Sequence, residues 1–281
     1  MANNSIRSNL TKEDIISDIT LCMGADIDRK NIYLLVEGED DIRLLHPYIS
    51  ENVLIYESYD GKKGVEVIVN DTFLDNKRVI GIRDRDYQQE PTSEKIFFYD
   101  YNCMEIMLIS NDDIIDNLCF EYYKGPLLSR ELRNCILNEL KILSVIRKYN
   151  ETKQWGIILK GLSANQGFNT ETEKMDNDVI VRKVNQMNGN FISEQILSDI
   201  YDEVSGVWSQ EQLYYGTQGH DFCTLFATIC NNYRKRGIKQ IEVQASARCT
   251  FRWSDFVKTK LYLSVKEYSQ VHSLKILAGI S

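Results

Sequence analysis

The sequence predicts an α/β fold: a mainly parallel sheet with flanking helices, followed by a mostly α-helical domain. Three observations lead there. Short apolar runs alternate with helical spacings over the first hundred residues, acids close each run, and the remainder keeps helical spacing with few strand-like runs. The 281 residues suffice for about two domains. The boundary is expected in 110–126, which divides the chain into an α/β domain, 1–115, and a helical domain, 116–281.

Ile32–Val36 reads as a buried strand, followed by a helix from about Asp40 to Tyr48. Val53–Tyr56 is a second strand, with a helix over about Gly64–Leu74. Val79–Ile82 and Ile96–Tyr99 are a third and a fourth, the last leading into a helix from about Cys103. Strands alternating with helices imply βαβ units and parallel pairing with right-handed crossovers. Helices are expected over Leu127–Tyr149, Glu173–Met187, Phe191–Val204 and Asp221–Arg236.

Composition narrows the function classes. No stretch approaches the 18 or so apolar residues of a membrane span, and the start of the chain has no apolar leader, so no membrane association is expected. Seven scattered cysteines without a CxxC pair, and three isolated histidines, argue for reduced thiols in a cytoplasm and against structural zinc. No GxxxxGK[ST] phosphate loop is present, so any ATP hydrolysis must come from a partner. The net charge of −8 is uneven: residues 231–281 carry ten Lys/Arg and three acids, a balance of +7, which leaves −15 for the rest. Within that basic stretch Arg234, Lys235 and Arg236 are candidates for contact with nucleic acid or a protein partner, while Phe251, Trp253 and Phe256 read as core. His220-Asp221 opens a helix and fits an N-cap.

The strongest chemical signal lies just beyond the strands. In a parallel α/β sheet ligands bind outside the strands' carboxyl ends. The first strand runs into Glu37-Gly-Glu-Asp-Asp41, the second into Asp60-Gly-Lys-Lys-Gly64, the third into Asp84-Arg-Asp86, and the fourth into Asp100, with Glu105 one helical turn later. Asp84 and Asp86 are two apart, so an extended backbone points both the same way. Together with Glu37 they make three like charges, which a hard divalent cation such as Mg²⁺ would neutralise. Alone, Glu37-Gly-Glu-Asp-Asp41 also fits a strand end running into a helix whose first-turn acids suit the macrodipole, and Asp84-Arg-Asp86 a solvated turn. Both at matching strand ends point to a metal site. Lys62 and Lys63 are placed to meet phosphate, and Asp41 and Glu105 are further candidate ligands.

At these residues the chain resembles the Toprim family, whose signature is a Glu after the first strand and an Asp-x-Asp after the third. Val36-Glu-Gly-Glu-Asp-Asp-Ile42, Gly61-Lys62, Val79 to Tyr87 and Tyr99 to Glu105 are similar to the AriB-like branch, the effectors of the PARIS phage-defence system. Gly219-His-Asp-Phe222 resembles a second, weaker signature of that branch. The resemblance covers roughly residues 30–110. It implies that 1–115 is a Toprim-like, metal-binding catalytic domain, an endonuclease using Mg²⁺ or Mn²⁺ with Glu37, Asp84 and Asp86 as metal ligands, beside a helical domain, 116–281, for dimerisation, substrate or partner binding; Lys62 is expected to help at the phosphate. It also implies a homodimer restrained by an ABC-type ATPase, and tRNA cleavage that arrests growth once a phage trigger releases it. The rival expectations are a nuclease acting on DNA and a non-enzymatic regulatory or sensor subunit of an ATPase complex.

Overall fold

The computed structural model describes residues 11–279. The chain divides into two compact units, Met1–Asp100 with Arg252–Ser281, and Tyr101–Phe251.

The first unit is an α/β layer structure. After α1 (Lys12–Ala25) come β1 (Ile32–Val36), α2 (Glu39–Leu45), β2 (Val53–Glu57), α3 (Gly61–Glu66), β3 (Val79–Arg83) and β4 (Ile96–Phe98). The strands form a parallel sheet in the order β2-β1-β3-β4, so the first strand lies inside it and the chain reverses its direction of growth between β2 and β3. All five residues of β1 and of β3 are buried, the near-continuous apolar run expected of strands covered on both faces. On one face Tyr33, Leu35, Val79, Ile96 and Phe98 pack with Ile15 and Ile19 of α1 and with Val65, Ile68 and Val69 from α3 and the π-helical turn that prolongs it over Val67–Thr72.

The helix α1 was not among the sequence expectations, although Thr11-x-x-Asp14 signals its start. The Thr11 hydroxyl accepts from the Asp14 amide while the Asp14 carboxylate accepts from the Thr11 amide.

The second unit is helical: α4 (Met104–Ser110), α5 (Asp112–Tyr122), α6 (Ser129–Glu139), α7 (Lys141–Thr152), α8 (Asn177–Met187), α9 (Glu194–Ser205), α10 (Gln210–Gly216), α11 (Gly219–Asn232) and α12 (Gln240–Thr250), with a small hairpin of β5 (Phe168–Asn169) and β6 (Lys174–Met175). The single helix expected over Leu127–Tyr149 is two, α6 and α7. Leu140 turns between them at ψ −3°, and because it is itself buried the apolar spacing hides the break. The helix expected from Glu173 starts at Asn177 because Lys174 and Met175 pair in the hairpin. The Asp176 carboxylate then accepts from the Val179 amide as its cap.

The units differ from the expected division at residues 115 and 116. Arg252–Ser281, expected in the helical domain, belongs with the sheet. The physical reason is specific pairing. After α13 (Trp253–Phe256) and α14 (Lys260–His272), the Ser50 amide donates to Ile276 O and the Ala278 amide to Tyr48 O. Tyr268 of α14 meets Phe97 of β4 edge-on at 5.5 Å. Phe256, read as core, is buried and stacks on Tyr48 at 4.7 Å, with Trp253 and Tyr262 beside it; Trp253, also read as core, is exposed, and Phe251 is buried in the helical unit. Asp100 holds the start of α14, accepting from the Lys260 and Leu261 amides at 2.9 Å each. Asp100→Ala is therefore expected to cost about 1–2 kcal/mol, as for a lost helix cap, read as a lower urea midpoint.

Candidate metal centre

Three strand-end turns of the sheet unit converge. Glu37 follows β1 directly, and its Oε1 accepts a 2.7 Å hydrogen bond from the backbone N–H of Asp84, the first residue after β3. From the second turn comes Gly61, with φ +48°, where a Cβ would lie 3.6 Å from Glu37 Oε2. Lys62, next to it, places Nζ 3.1 Å from Asp86 Oδ2. Glu37, Asp84, Asp86 and Lys62 thus belong to one strand-end group. Lys63, next along α3, is exposed.

The Asp84–Asp86 geometry differs from the expectation. The extended backbone ends at β3, and Asp86 takes a left-handed φ of +47°, followed by Tyr87 at +69°. The two carboxylates do not share a face by strand alternation. Asp86 is aimed by the turn instead.

Asp41 is buried in the first turn of α2 with both carboxylate oxygens engaged. Oδ1 accepts from the Tyr99 hydroxyl at 2.7 Å, and Oδ2 from the Gly38 amide at 2.9 Å. It clamps the turn that carries Glu37. By pattern alone Tyr99 ends an apolar strand and opens the Tyr99–Glu105 string, with no role of its own. A tyrosine closing a buried run, whose hydroxyl needs a partner, was the available signal.

Electrostatics mark Glu37. Burial pushes its carboxyl up to about 7, the charges of Asp86 and Asp41 push the same way, and the Asp84 amide and the Arg83 charge oppose them. A site that resists ionising a carboxylate is one that a cation would relieve. The donor set of hard oxygens fits Mg²⁺ or Mn²⁺.

The other candidates lie in the helical unit. Glu105, in α4, accepts from Gln244 Nε2 at 2.7 Å. Gly219 packs against it so closely that a Cβ would come within 2.4 Å of Glu105 Cβ, so the glycine of the Gly-His-Asp-Phe string is needed for close approach. Asp221 is not an N-cap. It is 1% exposed and paired with Arg147, Nε to Oδ2 at 2.6 Å and Nη2 to Oδ1 at 3.0 Å, while Gln218 occupies the cap position without a side-chain bond. His220 sets Nδ1 2.7 Å from Gln240 Nε2. Arg234 closes the C-terminus of α5, donating to Glu121 O and Tyr122 O at 2.9 and 3.2 Å. Lys235 and Arg236 are exposed.

No protein-family model matches the chain, and no curated protein matches it in sequence. Among the described residues no helix is long and apolar enough to cross a membrane.

Proposed function

We propose that this chain is a metal-dependent endonuclease of the Toprim class, an effector of anti-phage defence that cleaves tRNA and arrests growth when a partner ATPase releases it. The observation that carries the reading is the Glu37 carboxylate, bonded to the Asp84 amide and raised to about 7, in a strand-end group with Asp86 and Lys62. Glu37, Asp84 and Asp86 would hold Mg²⁺ or Mn²⁺. Bound there, the ion would supply Lewis-acid activation of a phosphodiester and of water.

The protein's own part is orientation and charge. The Asp84 amide fixes one oxygen of Glu37, and Tyr99 with the Gly38 amide fixes Asp41, which steadies the turn behind it. Lys62 offers an ammonium to the phosphate. The exposed Lys235 and Arg236, in the basic C-terminal stretch, suit an RNA backbone that the acidic remainder would repel. The homodimer and the ABC-type ATPase belong to the same proposal, as does a cytoplasmic location.

The test is purified protein incubated with Mg²⁺ or Mn²⁺ and with tRNA, single-stranded DNA or duplex DNA. The expected result is discrete tRNA fragments from the wild type and none from Glu37→Gln. Cleavage of DNA alone would replace the substrate. Absence of cleavage with either metal, ATPase present, would favour the regulatory-subunit reading.

A further inference from the structure

Arg83 ends a strand that is otherwise apolar, and it is wholly buried. A buried guanidinium persists only where acceptors surround it. Nη1 donates to the Asp84 carbonyl at 2.5 Å, and Nη2 to Glu66 Oε1 at 2.6 Å and to Gln88 Oε1. The group lies 4.7 Å from the centre of the Phe98 ring. Two residues on, Arg85 covers the same ring at 4.9 Å and donates to the carbonyls of Gln88 and Gln89 at 3.2 and 2.5 Å. Between these contacts sit Asp86 and Tyr87, both at positive φ, a conformation that residues other than glycine keep only where their surroundings over-determine it.

We infer that Arg83 is the positioning residue of the metal-binding turn: its forked contacts to the Asp84 carbonyl, Glu66 and Gln88 hold residues 84–88 in the left-handed turn that sets Asp86 beside Lys62. The inference rests on the metal reading and goes beyond it by placing the site's precision in a residue that touches neither metal nor substrate. A lysine keeps the charge but not the fork, so it can serve only part of this set of acceptors. Partners outside the ligand shell typically carry about 10–100-fold of metal affinity.

The test is Mn²⁺ binding followed by the loss of the free-ion EPR signal, which needs no turnover. Wild type, Arg83→Lys and Gln88→Ala are compared, with far-UV circular dichroism to establish the fold. The expected result is Mn²⁺ affinity at least about tenfold weaker in Arg83→Lys and weaker than wild type by a smaller factor in Gln88→Ala, both folded. A purely structural role would lower the melting temperature and leave the affinity of the folded protein unchanged. Folded Arg83→Lys with wild-type affinity overturns the inference while the metal reading stands. If Arg83→Lys does not fold, Gln88→Ala decides, and wild-type affinity there overturns the inference. A wild type that binds no Mn²⁺ overturns the metal reading and this inference with it.

Discussion

Glu37→Gln is expected to stabilise the folded protein at pH 8, by up to about 3 kcal/mol, while abolishing the proposed cleavage. The sign comes from proton binding. Glu37 titrates near 4.5 when unfolded and near 7 when folded. Between those values the folded state holds a proton that the unfolded state has released, so this group's contribution falls as pH rises through the window. Above pH 7 the whole penalty is present, and below 4.5 it is absent. Gln keeps an acceptor for the Asp84 amide and carries no charge, so it removes the penalty. Urea midpoints of both proteins at pH 4 and pH 8 check this: the gap should open only at the higher pH. Equal midpoints at both values would contradict the burial account. Added Mg²⁺ should raise the midpoint of the wild type at pH 8 and leave Glu37→Gln unmoved, since a ligand stabilises only the state that binds it.

The second large effect lies in the helical unit. Arg147→Met should cost about 3–5 kcal/mol, because it strands the Asp221 carboxylate, 1% exposed, without its bidentate partner. Asp221→Leu combined with Arg147→Met should recover most of that loss, since two apolar groups leave no charge to desolvate. Urea unfolding of the two variants and the wild type separates the cases. A cost below about 1 kcal/mol for Arg147→Met would place the pair among weak surface bridges.

The four strands were legible because each is a short apolar run closed by acids or glycine, and Ile32–Val36 coincides with β1 at both ends. The acids at strand ends were legible for the same reason: parallel topology puts every such turn at one edge. What the sequence concealed depends on contacts between distant residues. The return of Arg252–Ser281 to the sheet unit rests on backbone bonds between Ser50 and Ile276 and between Tyr48 and Ala278, which no local pattern announces. By pattern alone Tyr99 ends an apolar strand and Arg83 lies just past the run Val79–Ile82, although a polar group at the end of a fully buried run must find a partner. Their partners, Glu66, Gln88 and Asp41, lie in other elements. The left-handed turn at Asp86 was invisible because its residue type suits a strand end as readily as a turn.

The measurement that tests the central claim most directly is growth on inducing this chain, beside Glu37→Gln, with total small RNA resolved on a denaturing gel. Arrested growth and discrete tRNA fragments from the wild type alone are the predicted result. tRNA fragments from Glu37→Gln as well, or intact RNA in arrested wild-type cells, would contradict it.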